Sequence, residues 1–138
     1  MQVDLKKATL EEFLEHKTLY YDKIDFTIVK SSWALLSTKI TLPFVIHIVG
    51  TNGKGSTGRF LAHYLHKIDF KVLHYSSPHI MKFNERIWIN GNDVSDQNLD
   101  IAHKFLQEIL SLELLRKLTY FEYTTLLALY LSKDCDYL

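Results

Sequence analysis

Eight residues carry the densest chemistry in this sequence: Gly50-Thr51-Asn52-Gly53-Lys54-Gly55-Ser56-Thr57. Glycines at 50, 53 and 55 let the backbone turn so that successive N–H groups converge on one point. Such a nest suits a phosphate, and a helix N-terminus behind it adds partial positive charge. Lys54 supplies a mobile ammonium for outer phosphates, and Ser56 or Thr57 can offer a hydroxyl to a magnesium ion. The spacing departs from the common G-x-x-x-x-G-K-[ST] loop. Ile48 stands six residues before Lys54, and Gly55 follows it where a hydroxyl residue usually does.

A loop of this kind needs a strand before it and a helix after it. Pro43-Phe44-Val45-Ile46-His47-Ile48-Val49 is apolar and β-branched, the pattern of a buried strand. Phe60, Leu61, Tyr64, Leu65 and Ile68 recur at helical spacing and predict the buried face of the following helix. Phe70–Tyr75 reads as a second strand, so strand, helix and strand form a right-handed parallel crossover. The second strand ends in Ser76-Ser77-Pro78-His79, and ligands of open α/β sheets bind at such carboxyl ends. Its hydroxyls are therefore expected beside the phosphate loop.

Thr9-Leu10-Glu11-Glu12 matches a capping box and opens a helix on Leu10, Phe13 and Leu14. Tyr20–Lys23 is expected to leave that helix, Ile24-Asp25-Phe26 to form a loop, and Ile28–Leu36 a second helix with Trp33 buried. Ile87 and Ile89 alternate about Trp88 in a short strand, and Asn90-Gly91 marks a tight turn. Arg86 can meet a carboxylate or phosphate bidentately, or pair with Glu85 or Asp93 on the surface. Ser95 caps a further helix whose buried face is expected at Ile101, Phe105, Ile109 and Leu112. Leu118–Tyr123 interrupts it, and a last helix carries Thr125, Leu126, Leu129 and Tyr130. By themselves, Thr119 and Phe121 read as a helix N-cap and a core residue. Asp134–Leu138 reads as a helix exit and the opening of another strand, which predicts a chain cut short.

Composition narrows the classes. The 138 residues fit one domain on length, and 47% apolar residues suffice for a core. Sixteen basic against sixteen acidic side chains predict neither a nucleic-acid nor a membrane surface. Cys135 is the only cysteine, which excludes an internal disulfide and fits a cytoplasmic setting. Residues 1–7 lack the apolar run of a signal peptide, and no apolar run approaches the ~20 residues of a membrane span. Of the seven histidines, His63 and His66 share a helix face and read as solvated, while His74 and His79 flank the serine motif. They form no compact four-ligand zinc set.

The G-T-N-G-K-G-[ST] loop resembles that of the Mur ligase superfamily, and of its folate branch in particular. In the cell-wall ligases of that superfamily Ser or Thr usually follows the lysine, so Gly55 favours folylpolyglutamate and dihydrofolate synthases. Ser76–His79 is similar to the family's Ser-Pro-His motif, whose serine before the proline, here Ser77, is a magnesium ligand. Residues 82–87 resemble an Arg-Phe-Asn-Glu-Arg-Ile segment, with Lys82 where arginine is common. Leu118–Glu122 resembles a segment whose threonine and phenylalanine, Thr119 and Phe121 here, contact the pterin, and Ile24-Asp25-Phe26 resembles one beside the pterin pocket.

The resemblance implies an α/β fold: a three-layer, P-loop-type parallel sheet flanked by helices, a truncated Mur-ligase-like ATPase domain. It divides the chain into a helical N-terminus over 1–42 and a P-loop unit over 43–138, with a C-terminal glutamate-binding domain absent. It implies ATP bound by residues 50–57, catalytic Lys54, and Mg2+ on Ser77 and Ser56. Dihydropteroate or folate would meet Ile24, Asp25, Phe26, Thr119, Phe121 and Arg86. The implied reaction adds L-glutamate through an acyl phosphate, with a monomer when complete and an inactive fragment alone. Two rivals stand beside it: another Mur-type amino-acid ligase, against which Gly55 and residues 119–122 argue, and a nucleotide-binding module without catalysis.

Overall fold

A computed structural model describes residues 4–19 and 21–138. Tyr20, expected among the residues leaving the first helix, lies outside them. The elements are α1 (Leu10–Glu15), α2 (Phe26–Leu36), α3 (Lys54–Lys67), β1 (Leu73–Tyr75), β2 (Ile87–Ile89), β3 (Asn92–Asp93), α4 (Asp96–Ile109), α5 (Leu112–Lys117) and α6 (Tyr120–Leu131). Two 3-10 turns lie at Phe83–Arg86 and Ser132–Asp134. The chain forms two compact units. One joins the chain up to Ile40 with Gln97–Tyr130, and the other joins Thr41–Asp96 with Leu131–Leu138. The expected boundary near 42 is close to one crossing point, but 97–130 groups with the amino-terminal helices rather than with the loop unit.

In the helical unit the capping box at Thr9 forms in both directions, with Thr9 N–H on Glu12 Oε2 at 2.9 Å and Glu12 N–H on Thr9 Oγ1 at 3.2 Å. Phe13 is fully buried, its ring 4.3 Å from that of Tyr123. Helix α2 starts earlier than expected: Asp25 is its N-cap, accepting from the Thr27 amide and hydroxyl, so Phe26 is helical rather than in a loop. Trp33 is only partly buried.

The buried face of α4 also differs from the expectation. It runs through Leu99, Ala102, His103, Leu106 and Gln107, while Ile101 is half exposed. The face was hidden because it holds two polar residues, both satisfied. His103 takes the Tyr123 hydroxyl at Nδ1 (2.7 Å) and the Ala8 carbonyl at Nε2 (2.9 Å). The Gln107 amide donates to the carbonyls of Leu5 and Ala8. Ser111 then caps a separate short helix, α5.

In the loop unit the hydrogen-bonded sheet is antiparallel, β1-β2-β3, with Leu73 opposite Ile89 and Tyr75 opposite Ile87. The expected Asn90-Gly91 turn forms, both residues at positive φ (47° and 104°), matching a two-residue hairpin turn. The parallel part of the fold comes from Tyr137, bridged in parallel to Phe44 on one side and to Val72 on the other. The amides of Phe44 and Ile46 donate to the carbonyls of Asp136 and Leu138, and Leu73 donates to Tyr137. The segments leading to the phosphate loop and to Ser77 are therefore parallel, as a crossover requires, but not adjacent. Residues 136–138 lie between them.

Two burial expectations fail here. Residues 44–47 and Val49 are exposed, Phe44 at 69% and Val49 at 79%, and Ile48 is half-buried, because a parallel strand is buried only with neighbours on both edges and faces. Helix α3 turns Phe60 (80% exposed) and Tyr64 (58%) outward and seats Gly58 and Ala62 on the sheet. Ala62, Val72 and Trp88 form a small core there, with Leu65 and Tyr137 against it. Small residues decide which face of α3 can approach the sheet closely.

Candidate functional site

The phosphate-loop candidate lies wholly in the loop unit. Gly53 is the N-cap of α3 in the left-handed conformation, φ 76° and ψ 5°, with no side-chain cap. A Cβ there would meet nothing within 4 Å, so backbone conformation alone demands the glycine. The first main-chain bond of the helix runs from Thr57 N–H to Gly53 C=O at 2.9 Å. The amides of Lys54, Gly55 and Ser56 thus precede the helical ladder, where orphan donors collect. All of residues 50–57 are exposed, and no acidic side chain occupies the first turn. Lys54 folds back on the loop, its Nζ donating to the Gly50 carbonyl at 2.6 Å and the Thr51 carbonyl at 3.4 Å.

Ser77 is exposed at the carboxyl end of β1. Since 44–46 and 71–73 both run parallel to 136–138, the loop and Ser77 lie at the same edge of the sheet. Hydroxyl oxygens at that edge, with phosphate oxygens, are the hard donors magnesium prefers, so the residues present fit such an ion.

Arg86, for which both a carboxylate or phosphate contact and a surface pairing were expected, is only 8% exposed. Its Nε donates to His79 Nδ1 at 2.8 Å, and its guanidinium lies 5.9 Å from the Phe83 ring centre. Glu85 accepts from the amides of Ile80, Met81 and Lys82, each at 2.8 Å, which holds its carboxyl below the usual range. A similar pair links α3 to β1, where Arg59 Nε donates to His74 Nδ1 at 3.2 Å. Burial, and then the Arg59 charge, push the His74 imidazole down to about 4. His63 is exposed, as expected, and His66 is half-buried; both rings lie beside Trp88, with ring centres 4.7 and 5.9 Å away.

In the helical unit, α2 packs on α5, and the Lys117 ammonium contributes to holding the Asp25 carboxyl down, after its bonds to Thr27. That places Ile24–Phe26 and Leu118–Phe121 at one end of the unit. Thr119 is buried and forms a capping box with Glu122: Thr119 N–H on Glu122 Oε2 at 2.9 Å, Glu122 N–H on Thr119 Oγ1 at 3.2 Å. The N-cap reading of Thr119 therefore holds, but Phe121 is no core residue. It is 55% exposed, as are Phe26 (65%) and Ile24 (41%). Two partly exposed rings and an aliphatic side chain at one end make an apolar surface suited to a flat heterocycle.

Sequence reasoning missed two features. Glu122 Oε1 is buried with no hydrogen-bond partner among the described residues. The Arg–His pairs also escaped it, because partners seven and fifteen residues apart meet only through the fold.

No protein-family model matches the chain. A dihydrofolate synthase/folylpolyglutamate synthase of Haemophilus influenzae is 37% identical over 133 residues, 93% of this chain and 30% of that protein. A Helicobacter pylori folylpolyglutamate synthetase structure superimposes with TM-score 0.81 at 44% identity, covering 93% of this chain and 33% of the other. A bifunctional Yersinia pestis synthase, complexed with AMPPNP and a manganese ion, gives 0.79 at 29%, covering 99% and 34%. The chain thus spans about a third of the relatives it matches.

Proposed function

We propose, from the premise that this chain is homologous to about a third of the dihydrofolate synthase/folylpolyglutamate synthases, that it carries their phosphate loop and one wall of their pterin site. The observation that carries this reading is the exposed, left-handed Gly53 turn with Lys54 at the head of a 14-residue helix. In the whole protein the reaction is ATP-dependent addition of L-glutamate to dihydropteroate or folate. The carboxyl takes the terminal phosphoryl group of ATP, and the glutamate amine then displaces phosphate from the acyl phosphate. The loop amides and Lys54 hold the triphosphate and stabilise the charge that shifts during transfer. Ser77 and Ser56 would hold Mg2+, which would supply positive charge to the phosphate oxygens. Ile24, Phe26 and Phe121 face the pterin, and Asp25 and Thr119 fix the backbone that presents them. Arg86 acts from beneath, through His79, rather than as a direct substrate clamp.

The chain by itself binds nucleotide without completing the ligation. A reducing, cytoplasmic setting fits the single Cys135, and among the described residues no helix is long and apolar enough to cross a membrane. The test is calorimetric titration of MgATP into the chain and into Lys54→Ala. Wild type is expected to bind, with affinity reduced at least tenfold in the variant, the scale of one charge-assisted contact. Equal affinities would overturn the reading.

A further inference from the structure

We propose that Lys17 is the positioning residue of the pterin-facing turn: its ammonium locks the end of α5 to the start of α6 and so sets where Phe121 stands. The inference rests on the pterin-wall reading above. Only Leu118 and Thr119 lie between the two helices. On one side of that link, Lys17 Nζ donates to the carbonyls of Leu115 and Arg116, the latter at 3.1 Å. Carbonyls in the last turn of a helix lack partners within it and form its negative end, where a cation is favoured. On the other side stands the Glu122 carboxylate, in the first turn of α6, and its charge acts on the same ammonium. One cation thus holds both ends of a two-residue link.

Glu122 shows why a charge is needed there. Its Oε2 accepts from the Thr119 amide at 2.9 Å and closes the cap, whereas Oε1 is buried with no partner among the described residues. Burying a charged oxygen is costly unless an opposite charge stands close. Lys17 is itself half-buried, its Nζ 4.9 Å from the centre of the Phe13 ring. From α5 it meets carbonyls, from α1 that ring, and from α6 the Glu122 carboxylate. Burial lowers the ammonium to about 8, against the pull of Glu122. Losing the proton weakens the bonds to α5 and leaves Glu122 uncompensated, so the link loosens as pH rises through about 8. The opposite wall feels the same change, because α2, which starts at Phe26, packs on α5. Lys6 supplies an internal control. It donates to the carbonyls of Gln107 and Leu110 at the end of α4, where no pterin-facing residue follows.

The experiment titrates dihydropteroate into the full chain and follows the ring 13C resonances of Phe26 and Phe121, over about 1.5 pH units on either side of 8. It compares wild type, Lys17→Arg, Lys17→Met, Lys6→Met and Phe121→Ala. Wild type is expected to lose about fivefold or more in affinity across that range, the scale of a coupling between linked groups, with its midpoint near 8. Lys17→Arg stays charged throughout and should hold the low-pH affinity at every pH. Lys17→Met should show the weak affinity at every pH, and Lys6→Met should follow the wild-type profile. A pH profile unchanged in Lys17→Arg, or full affinity in Lys17→Met, overturns the proposal, as does a loss in Lys6→Met equal to that in Lys17→Met. If Lys17→Met does not fold, the wild-type and arginine profiles decide. Binding that Phe121→Ala abolishes but that ignores Lys17 and pH sinks only this inference. Binding absent from wild type, or indifferent to Phe121, sinks the pterin reading with it.

Discussion

Gly53 and Phe121 show how differently two exposed residues are constrained. At Gly53 the open space around a Cβ removes any steric objection, so the cost of a side chain is the left-handed backbone alone. Gly53→Ala should lower stability by about 1–2 kcal/mol and weaken MgATP binding, as thermal melts and titrations with and without nucleotide would show. Phe121 is more than half exposed. Phe121→Ala should leave the melting temperature nearly unchanged, within about 0.5 kcal/mol of stability. In a complete protein it should cost about 1–3 kcal/mol of dihydropteroate binding, by analogy with base–aromatic stacking. A large drop in melting temperature would instead place Phe121 in the core.

Helix α3 is the element that ties the loop to the sheet, and its fit depends on one hydrogen. A methyl group at Gly58 would overlap His74 Nε2, and Arg59 restrains that ring from the other side. Gly58→Ala is therefore expected to destabilise the loop unit by about 1–3 kcal/mol, measured by urea unfolding. Gly55, one turn earlier, meets nothing within 4 Å, so Gly55→Ala should cost far less stability and serves as the comparison. Equal losses at both positions would show that the helix backbone, not the His74 contact, is what the glycine protects. At the start of α6 the limit is polar rather than steric. Thr119→Ala removes a buried cap and should cost about 1 kcal/mol.

Across the whole molecule, two imidazoles are kept neutral by burial. His74 lies at about 4, and His103 is lowered although the Ala8 carbonyl and Asp100 oppose the shift. Unfolding returns both to about 6.5, so as pH falls the unfolded chain takes up protons first. Their contribution to stability is whole above pH 6.5 and declines as pH falls toward 4. Urea midpoints measured between pH 8 and 4 should fall over that window, and His103→Gln should flatten part of the slope. A midpoint that rises on acidification would contradict the neutral assignment.

The sequence by itself determined several features that depend on neighbours along the chain: the Gly53 turn, the Thr9 capping box and the Asn90-Gly91 hairpin are set by residues within a few positions of one another. It did not show the caps at Asp25 and Ser111, and the expected interruption over 118–123 is shorter, since α6 begins at Tyr120. It also determined that two parallel segments bring the phosphate loop and Ser77 to one edge. Tertiary structure alone decided which faces are buried. Side-chain hydrophobicity pointed to Phe60 and Tyr64 on α3 and to Ile101 on α4, but burial went to Gly58, Ala62, His103 and Gln107. Close approach selects small residues, and a polar side chain is buried wherever a distant carbonyl or hydroxyl satisfies it. The same reason buries Arg86. Its Nε partner is an imidazole that the chain returns to it only after the turn at 80–85 has closed.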